Sequence, residues 1–547
     1  MNKTLLFVLL AIGILLGVTL CPLMDNDAAH HAVIGLRMME TGDWTTMTDV
    51  IERYTPYFDK PHLQFWLVGL SFKYFGVGAF VYKLSSLIFI ALSIFSTYRL
   101  AQFLLPRPQS GVVAILVLVS MMAFMLGASV DIRMDAILSG AVIFAIWQGV
   151  VCIASSAKRH AKLRIRLYLG LAFGLTLAFM CKGLYGVVVT GVALLFYMIG
   201  TKQLRWLFSW RFLLVIAFFA VMILPELWAF YQQFGWKGVR FMLYDQVLIR
   251  TGGGMGVSGQ SDPTFFLHTL LWTVLPWSAL LYFFVFRSLF TARFDATYWL
   301  TVPSAVVVIV LLSFSSFKLP HYLNPLLPLL AIFLTSQFID IQPRSRLLRG
   351  VNITQKIVVM VIVILAAVVN YWLFPFEVMW MAVLFALMLL YVVYQLFTHW
   401  TSYEKMLYVS VAASAVLWIG LNVNFYPQLM KYQAGNVAAA ELEQKNIKAD
   451  QVFLYHPLDY SASFDIHHRA IHRVLKRPDI LQKQVAGDQF FVFVERGPFN
   501  ELASDTTLHF TRQASWVDYR VTRLTPKFLN PATRSQVVDS IFLLKFN

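Results

Sequence analysis

Residues 3–31 read KTLLFVLLAIGILLGVTLCPLMDNDAAHH. From Leu5 to Leu20 no charged side chain appears, over a length close to the ~20 residues a helix needs to cross the hydrocarbon of a bilayer. Pro22 then interrupts the run, and Asp25, Asp27, His30 and His31 follow within a few positions. A membrane span that empties at once into carboxylates and imidazoles is the unit from which the rest of the chain can be read.

Outward from that stretch the apolar runs recur. Thirteen are expected, over 5–23, 80–104, 111–129, 135–154, 166–181, 184–200, 211–231, 265–289, 297–316, 321–339, 355–374, 376–397 and 405–424. The composition agrees: of 547 residues, 59% are hydrophobic and 13% charged, with a mean hydropathy of +0.67. Soluble proteins carry roughly 25% charged residues, so lipid solvates most of this chain. The fold class is a multi-pass, all-helical membrane protein with the bilayer as its first partner.

The net charge of +16 does not point to nucleic acid. The basic residues sit in short loops, such as Lys158, Arg159, Lys162 and Arg164, or Arg344, Arg346 and Arg349, and no basic face interleaved with aromatics accompanies them. Short basic loops mark the cytoplasmic side. Placing them there puts the N-terminus in the cytoplasm and, with an odd number of spans, the C-terminus outside. Cys21, Cys152 and Cys181 all lie in or beside apolar runs, which argues against a disulfide framework or a thiolate metal site.

The outer side then consists of 24–79, 130–134, 182–183, 232–264, 317–320 and everything after about 425. Within the first outer loop, 28–40 and 61–75 read as amphipathic helices lying in the interface. Residues 1–430 form the membrane domain. Residues 431–547 alternate short β-type runs, such as QVFLY over 451–455 and QFFVFV over 489–494, with charged helical stretches. They predict a small water-exposed α/β domain, for which acceptor recognition is the expected role.

Ionisable residues at membrane depth are costly and mark function by default. Asp25 and Asp27 follow the first span, with His30 beside them. Asp59 and Lys60 lie in the aromatic stretch YFDKP over 57–61, and Asp131, Arg133 and Asp135 share one tight turn. Lys182 precedes Gly183 between two spans, and Lys318, His321 and Tyr322 open another. Arg250 stands before the glycines of 252–259, which suit a closing lid. The ordinary alternatives are capping by Asp or Asn, snorkelling of lysines and a structural ion pair at 131–135. Four cations, Lys60, Lys182, Arg250 and Lys318, on the leaflet poorer in basic residues suit an anionic lipid phosphate. Asp25 with Asp27 and Asp59 could hold one divalent metal ion, the only cofactor the residues suggest. A monomer is expected.

In order and spacing these motifs resemble the bacterial GT-C glycosyltransferases. More narrowly, they are similar to the family that transfers 4-amino-4-deoxy-L-arabinose to lipid A, which is related to the protein O-mannosyltransferases. The matches are Pro22-Leu23 with Asp27 and then Gly42-Asp43-Trp44; Tyr57 to Pro61; Lys182-Gly183; and Ser316 to Tyr322 with Pro325. They cover about residues 5–340. Ala28 and His30 stand where the family carries Glu and Arg, and Pro61-His62 where it carries Pro-Pro. The resemblance implies a GT-C membrane domain with a periplasmic domain in a bacterial inner membrane. It also implies a polyprenyl-phosphate-linked sugar donor, a glycolipid, polysaccharide or protein acceptor, and inversion at the anomeric carbon. Asp27 takes the place of the family's catalytic Asp and Asp135 that of a second acid. Lys60, Arg250 and Tyr322 match phosphate-contacting positions, with Lys182 and Lys318 nearby. A transporter or flippase of a lipid-linked sugar is the alternative, although the internal repeats common in transporters do not appear.

Overall fold

The computed structural model describes residues 3–49, 55–156, 164–245, 262–291, 294–315, 317–456, 460–465 and 474–546. Among them, ten helices are long and apolar enough to cross a membrane. The pair α5 (Ser110–Ser120) and α6 (Met122–Ser129), bent by 73°, makes an eleventh. Two shorter apolar helices, Leu184–Gly200 and Ser278–Thr291, occupy the remaining expected stretches. The chain is a multi-pass membrane protein.

The first helix shows how each span is placed. In α1 (Lys3–Leu20), Leu6, Leu10, Gly13 and Gly17 are buried while Leu5, Val8, Ile12 and Leu15 are exposed. One stripe faces helix Tyr403–Gly420 and the other faces lipid, so the outer stripe needs no polar residues. At the centre lies α7 (Met134–Ser156), packed against α4 (Ala79–Leu104), α8 (Ile165–Lys182) and α9 (Leu184–Gly200). Small residues permit the approach: a Cβ on Gly140 would come within 2.4 Å of the Phe89 carbonyl oxygen.

Two expected spans are each assembled from two helical segments. The stretch read as 211–231 is α10 (Trp210–Met222) followed by α11 (Leu224–Arg240), with Pro225 in the first turn of the second helix. The stretch 265–289 is divided into Phe265–Thr273 and Ser278–Thr291 around Pro276. In both cases proline removes a backbone donor that a continuous helix would use.

The first loop also departs from its expected form. α2 (Asp27–Thr41) is not half-immersed: Ala28, Ala29, His31, Ala32, Val33, Ile34, Gly35, Leu36 and Met38 are all buried. One side meets α3 (Leu63–Phe75), where Gly35 and Gly69 bring the backbones together. Another is covered by helix Tyr460–Asp465, whose Phe464 stacks on Phe72 with ring centroids 5.9 Å apart. Burial on several sides comes from a segment more than 400 positions away, which no local periodicity could announce.

After Tyr432 the chain builds a five-stranded mixed sheet from β1 (Val452–Tyr455), β2 (Val474–Leu475), β3 (Phe490–Glu495), β4 (Phe510–Asp518) and β5 (Asp539–Phe546), in spatial order β2-β1-β3-β5-β4. β1 runs parallel to β2 and β3, whereas β5 is antiparallel to β3 and β4. Alternate residues feed two cores. Phe493 and Leu543 pack with helix Ala434–Gln444, and Val492, Val494 and Leu544 pack on the opposite face, as the period of two requires.

This unit is fastened to the membrane helices. The Gln433 side chain donates to the Leu23 carbonyl at 2.8 Å and accepts from the Asp25 amide at 2.8 Å. Arg534 donates to the Leu373 carbonyl at 2.7 Å while its guanidinium lies 4.0 Å from the centre of the Phe374 ring. Those contacts put the start of α2 and the sheet at the same end of the bundle.

Candidate active site

The start of α2 is fixed from three directions. Asn26 caps the helix, accepting from the Ala28 amide at 2.8 Å, and its own amide donates to Asp131 at 3.1 Å. Gln433 holds the backbone just before it. Asp27 is thereby placed at the wall of a cavity of about 440 Å³, shared with Asp131, Arg133, Asp135, His321 and Asn324. The three carboxylates come from two segments a hundred residues apart in sequence.

Charge is matched closely around the cavity. Arg133 pairs with Asp131 and lies 3.9 Å from Asp27. Lys182 donates to Asp135 at 2.6 Å, and His321 Nε2 is 3.7 Å from the other oxygen of Asp135. Burial would raise the Asp27 carboxyl, but His31, Arg133, Lys60 and His321 outweigh it and hold the group well below the usual carboxylate range. Burial pushes the His31 imidazole down to about 3 against the pull of Asp27. At neutral pH the imidazole is neutral, and Arg133 and Lys60 are the charges that keep Asp27 ionised.

The other expected cations gather beside this cavity, not on it. Among the described residues lining it, Lys60, Lys182, Lys318 and Tyr322 do not occur. Lys60 pairs with Asp59, and its charge reaches Asp27 and His31. The Lys182 ammonium sits 4.7 Å from the centre of the Tyr322 ring, and the Tyr322 carbonyl accepts from the Tyr185 hydroxyl at 2.6 Å. Lys318 is buried. His30 meets the edge of Tyr57 with ring centroids 5.2 Å apart. Arg250 and the glycines of 252–259 lie outside the described residues.

Among the described residues no three His, Cys, Asp or Glu side chains, Asp25, Asp27 and Asp59 included, stand together as a ligand cluster. The Asp25 backbone is tied to Gln433, and Asp59 is engaged with Lys60.

Four residues that shape the site are given no role in the sequence reading. Gln433 is the first. His62 and Glu226 are the next two: both are fully buried, the His62 amide donates to Glu226 Oε1 at 3.0 Å, and its ring Nδ1 lies 2.9 Å from the same oxygen. That clamp pins the loop carrying Lys60 to α11. Lys83, also buried, donates to the carbonyls of Val18 at 3.1 Å and Cys21 at 2.7 Å, closing the C-terminal end of α1. A charged residue inside an apolar span, as Lys83 and Glu226 are, was the available signal.

Comparison with known proteins fits this geometry. The family model for dolichyl-phosphate-mannose-protein mannosyltransferase matches residues 59–228. An undecaprenyl phosphate-alpha-4-amino-4-deoxy-L-arabinose arabinosyl transferase of Pseudomonas aeruginosa is 28% identical over 316 residues, 55% of this chain and 53% of that protein. A transferase of the same description from Pseudomonas savastanoi is 27% identical over 59% of both. The chain thus spans about half the length of the curated relatives it matches. Among solved structures, ArnT from Cupriavidus metallidurans bound to undecaprenyl phosphate superposes with a TM-score of 0.73 at 19% identity, covering 100% of this chain and 98% of that one. Its apo form gives 0.70. The likeness extends over the sheet unit as well as the membrane helices, and the chain shares that fold.

Proposed function

As a member of the GT-C glycosyltransferases of the aminoarabinose-transferase type, this chain, we propose, moves a sugar from a polyprenyl-phosphate donor to a membrane glycolipid. The donor sugar is 4-amino-4-deoxy-L-arabinose, as the names of the relatives suggest, and the acceptor is lipid A, as the resemblance of the motifs implies. The observation that carries this reading is Asp27, an ionised carboxylate at the wall of a cavity and within the field of Lys60.

In the reaction, the bond between the anomeric carbon and the donor phosphate oxygen breaks, and polyprenyl phosphate leaves with the electron pair. Lys60, Arg250 and Tyr322, together with Lys318, stabilise the charge on that leaving group, while Lys182 holds Asp135. An acceptor oxygen attacks the opposite face, so the anomeric centre inverts. A carboxylate held as low as Asp27 is a weak base but a strong fixed charge. It orients the acceptor, takes a proton where that oxygen is a hydroxyl, and favours the positive charge growing on the anomeric carbon. Positive charge is supplied here by side chains, with no step assigned to a metal.

The division of labour is part of the proposal: residues 1–430 hold the donor, and 431–547 complete the acceptor side. So is the orientation, with the basic loops in the cytoplasm and the site facing the periplasm. The test of the chemistry is Asp27→Asn in purified protein, given undecaprenyl-phosphate aminoarabinose and lipid A. The mass gain on lipid A should fall by ~100-fold or more, while undecaprenyl phosphate binds within about twofold of wild type. Turnover near that of wild type would rule out the role given to Asp27.

A further inference from the structure

Lys60, the cation matched to the donor phosphate, is carried by a loop laid along one face of α11. Phe58, two residues before it, packs among three rings, with centroids 4.4 Å from Phe234, 4.1 Å from Phe241 and 6.2 Å from Phe230. His62, two residues after it, donates its amide to Glu226 and sets its ring edge-on to Phe230 at 5.1 Å. Earlier in the same loop, Gln233 closes a pair of hydrogen bonds on Met47, accepting from the amide at 3.0 Å and donating to the carbonyl at 2.7 Å. Positions 226, 230, 233 and 234 are spaced as one helical face, and all precede the bend at Gly235, where φ is +61°. The opposite face carries Trp228 and Tyr231, both exposed, as suits the edge of a bilayer.

Stability alone does not account for the polar part of this face. Glu226 Oε1 meets both the His62 amide at 3.0 Å and the ring Nδ1 at 2.9 Å, while Oε2 is buried with no hydrogen-bond partner among the described residues. His62 Nε2 in turn lies 3.1 Å from the Thr45 carbonyl. Replacing a buried ionisable pair by apolar residues commonly leaves a fold as stable or more so. What Glu226 adds over an apolar contact is direction. Three polar contacts fix the backbone and the ring of His62 together, and the rings around Phe58 fix the other side, so the backbone of Lys60 is held from both ends.

We propose that Glu226 and Gln233 are positioning residues for the donor: they touch no reacting atom and act through Lys60, setting where its ammonium meets the donor phosphate. This rests on the sugar-transfer reading and gives α11 a part in donor recognition.

A double-mutant cycle separates positioning from general support of the fold. Full-length protein in detergent is titrated with undecaprenyl phosphate, and transfer is followed with undecaprenyl-phosphate aminoarabinose and lipid A. In Glu226→Gln and in Gln233→Ala, the Kd for undecaprenyl phosphate and the donor KM should each rise by about tenfold, with kcat within about twofold of wild type. Gln232→Ala, on the exposed side of the helix, should change neither. In a Lys60→Ala background the same two substitutions should cost no further affinity, because the residue they act through is gone. An undiminished loss in that background overturns the proposal, since it marks support of the fold at large. So does wild-type affinity in both single variants. If Lys60→Ala alone binds undecaprenyl phosphate normally, the proposal falls together with the donor role of Lys60. The expected binding pattern in protein that never transfers sugar upholds the positioning and counts against the transfer reading alone.

Discussion

Lys182 and Asp135 offer the sharpest test of how the site is held. Their side chains meet at 2.6 Å and are 3% and 5% exposed. At an effective dielectric of ~20 the Coulomb attraction at that separation is about 6 kcal/mol. Desolvation of two buried ions offsets most of it, whereas removal of one partner strands the other at a cost of ~3–5 kcal/mol. Lys182→Met should therefore fall within that range. Lys182→Met and Asp135→Asn should each lower the unfolding temperature in detergent, and the double variant should recover most of that loss. Transfer activity decides the role. If Lys182 serves to hold Asp135, the double variant transfers no worse than Asp135→Asn alone. A further loss of tenfold or more would refute this and return Lys182 to the donor phosphate. So would a single Lys182→Met with wild-type thermal stability.

The remaining expectations concern pH and sidedness. His31 is held at about 3 when folded, against 6.5 for the free side chain. Between those values the unfolded chain binds a proton that the folded chain refuses, so stability falls as pH falls through that window. Asp27, also lowered, acts with the same sign below its unfolded value. Thermal unfolding from pH 7 to 4 should therefore show an acid-side decline that His31→Gln flattens, and parallel curves would count against the buried neutral imidazole. Sidedness is read with a reporter active only in the periplasm. Fused after Asn547 it should be active, and fused within 201–210 inactive; the reverse pattern would invert the topology.

The clamp between His62 and Glu226 shows why the departures from the family's motif matter. A histidine at this position needs a buried partner, since leaving either group unsatisfied costs ~1–3 kcal/mol. Glu226, 164 positions later, supplies it and accepts from the His62 backbone as well. The Lys60 loop is therefore set by a contact that the motif Asp59-Lys60-Pro61 does not contain.

Taken alone, the amino-acid sequence determined the membrane class, the placement of the apolar helices and the segments where reactive side chains collect. The reason is local: burial in lipid acts on each stretch of about 20 residues separately, and charges excluded from that solvent mark themselves. The order of Asp27, Lys60, Asp135, Lys182 and Tyr322 was legible in the same way. What the tertiary structure decided was partnership. It gave Lys182 to Asp135, Arg133 to Asp131 and Asp27, and Gln433 to the turn before Asp27. It buried α2 beneath a helix from the far end of the chain and brought Arg520 to the cavity. Pairing of this kind depends on distances between segments hundreds of residues apart. The hydrophobic pattern that places each helix in the bilayer carries no information about which helix stands beside it.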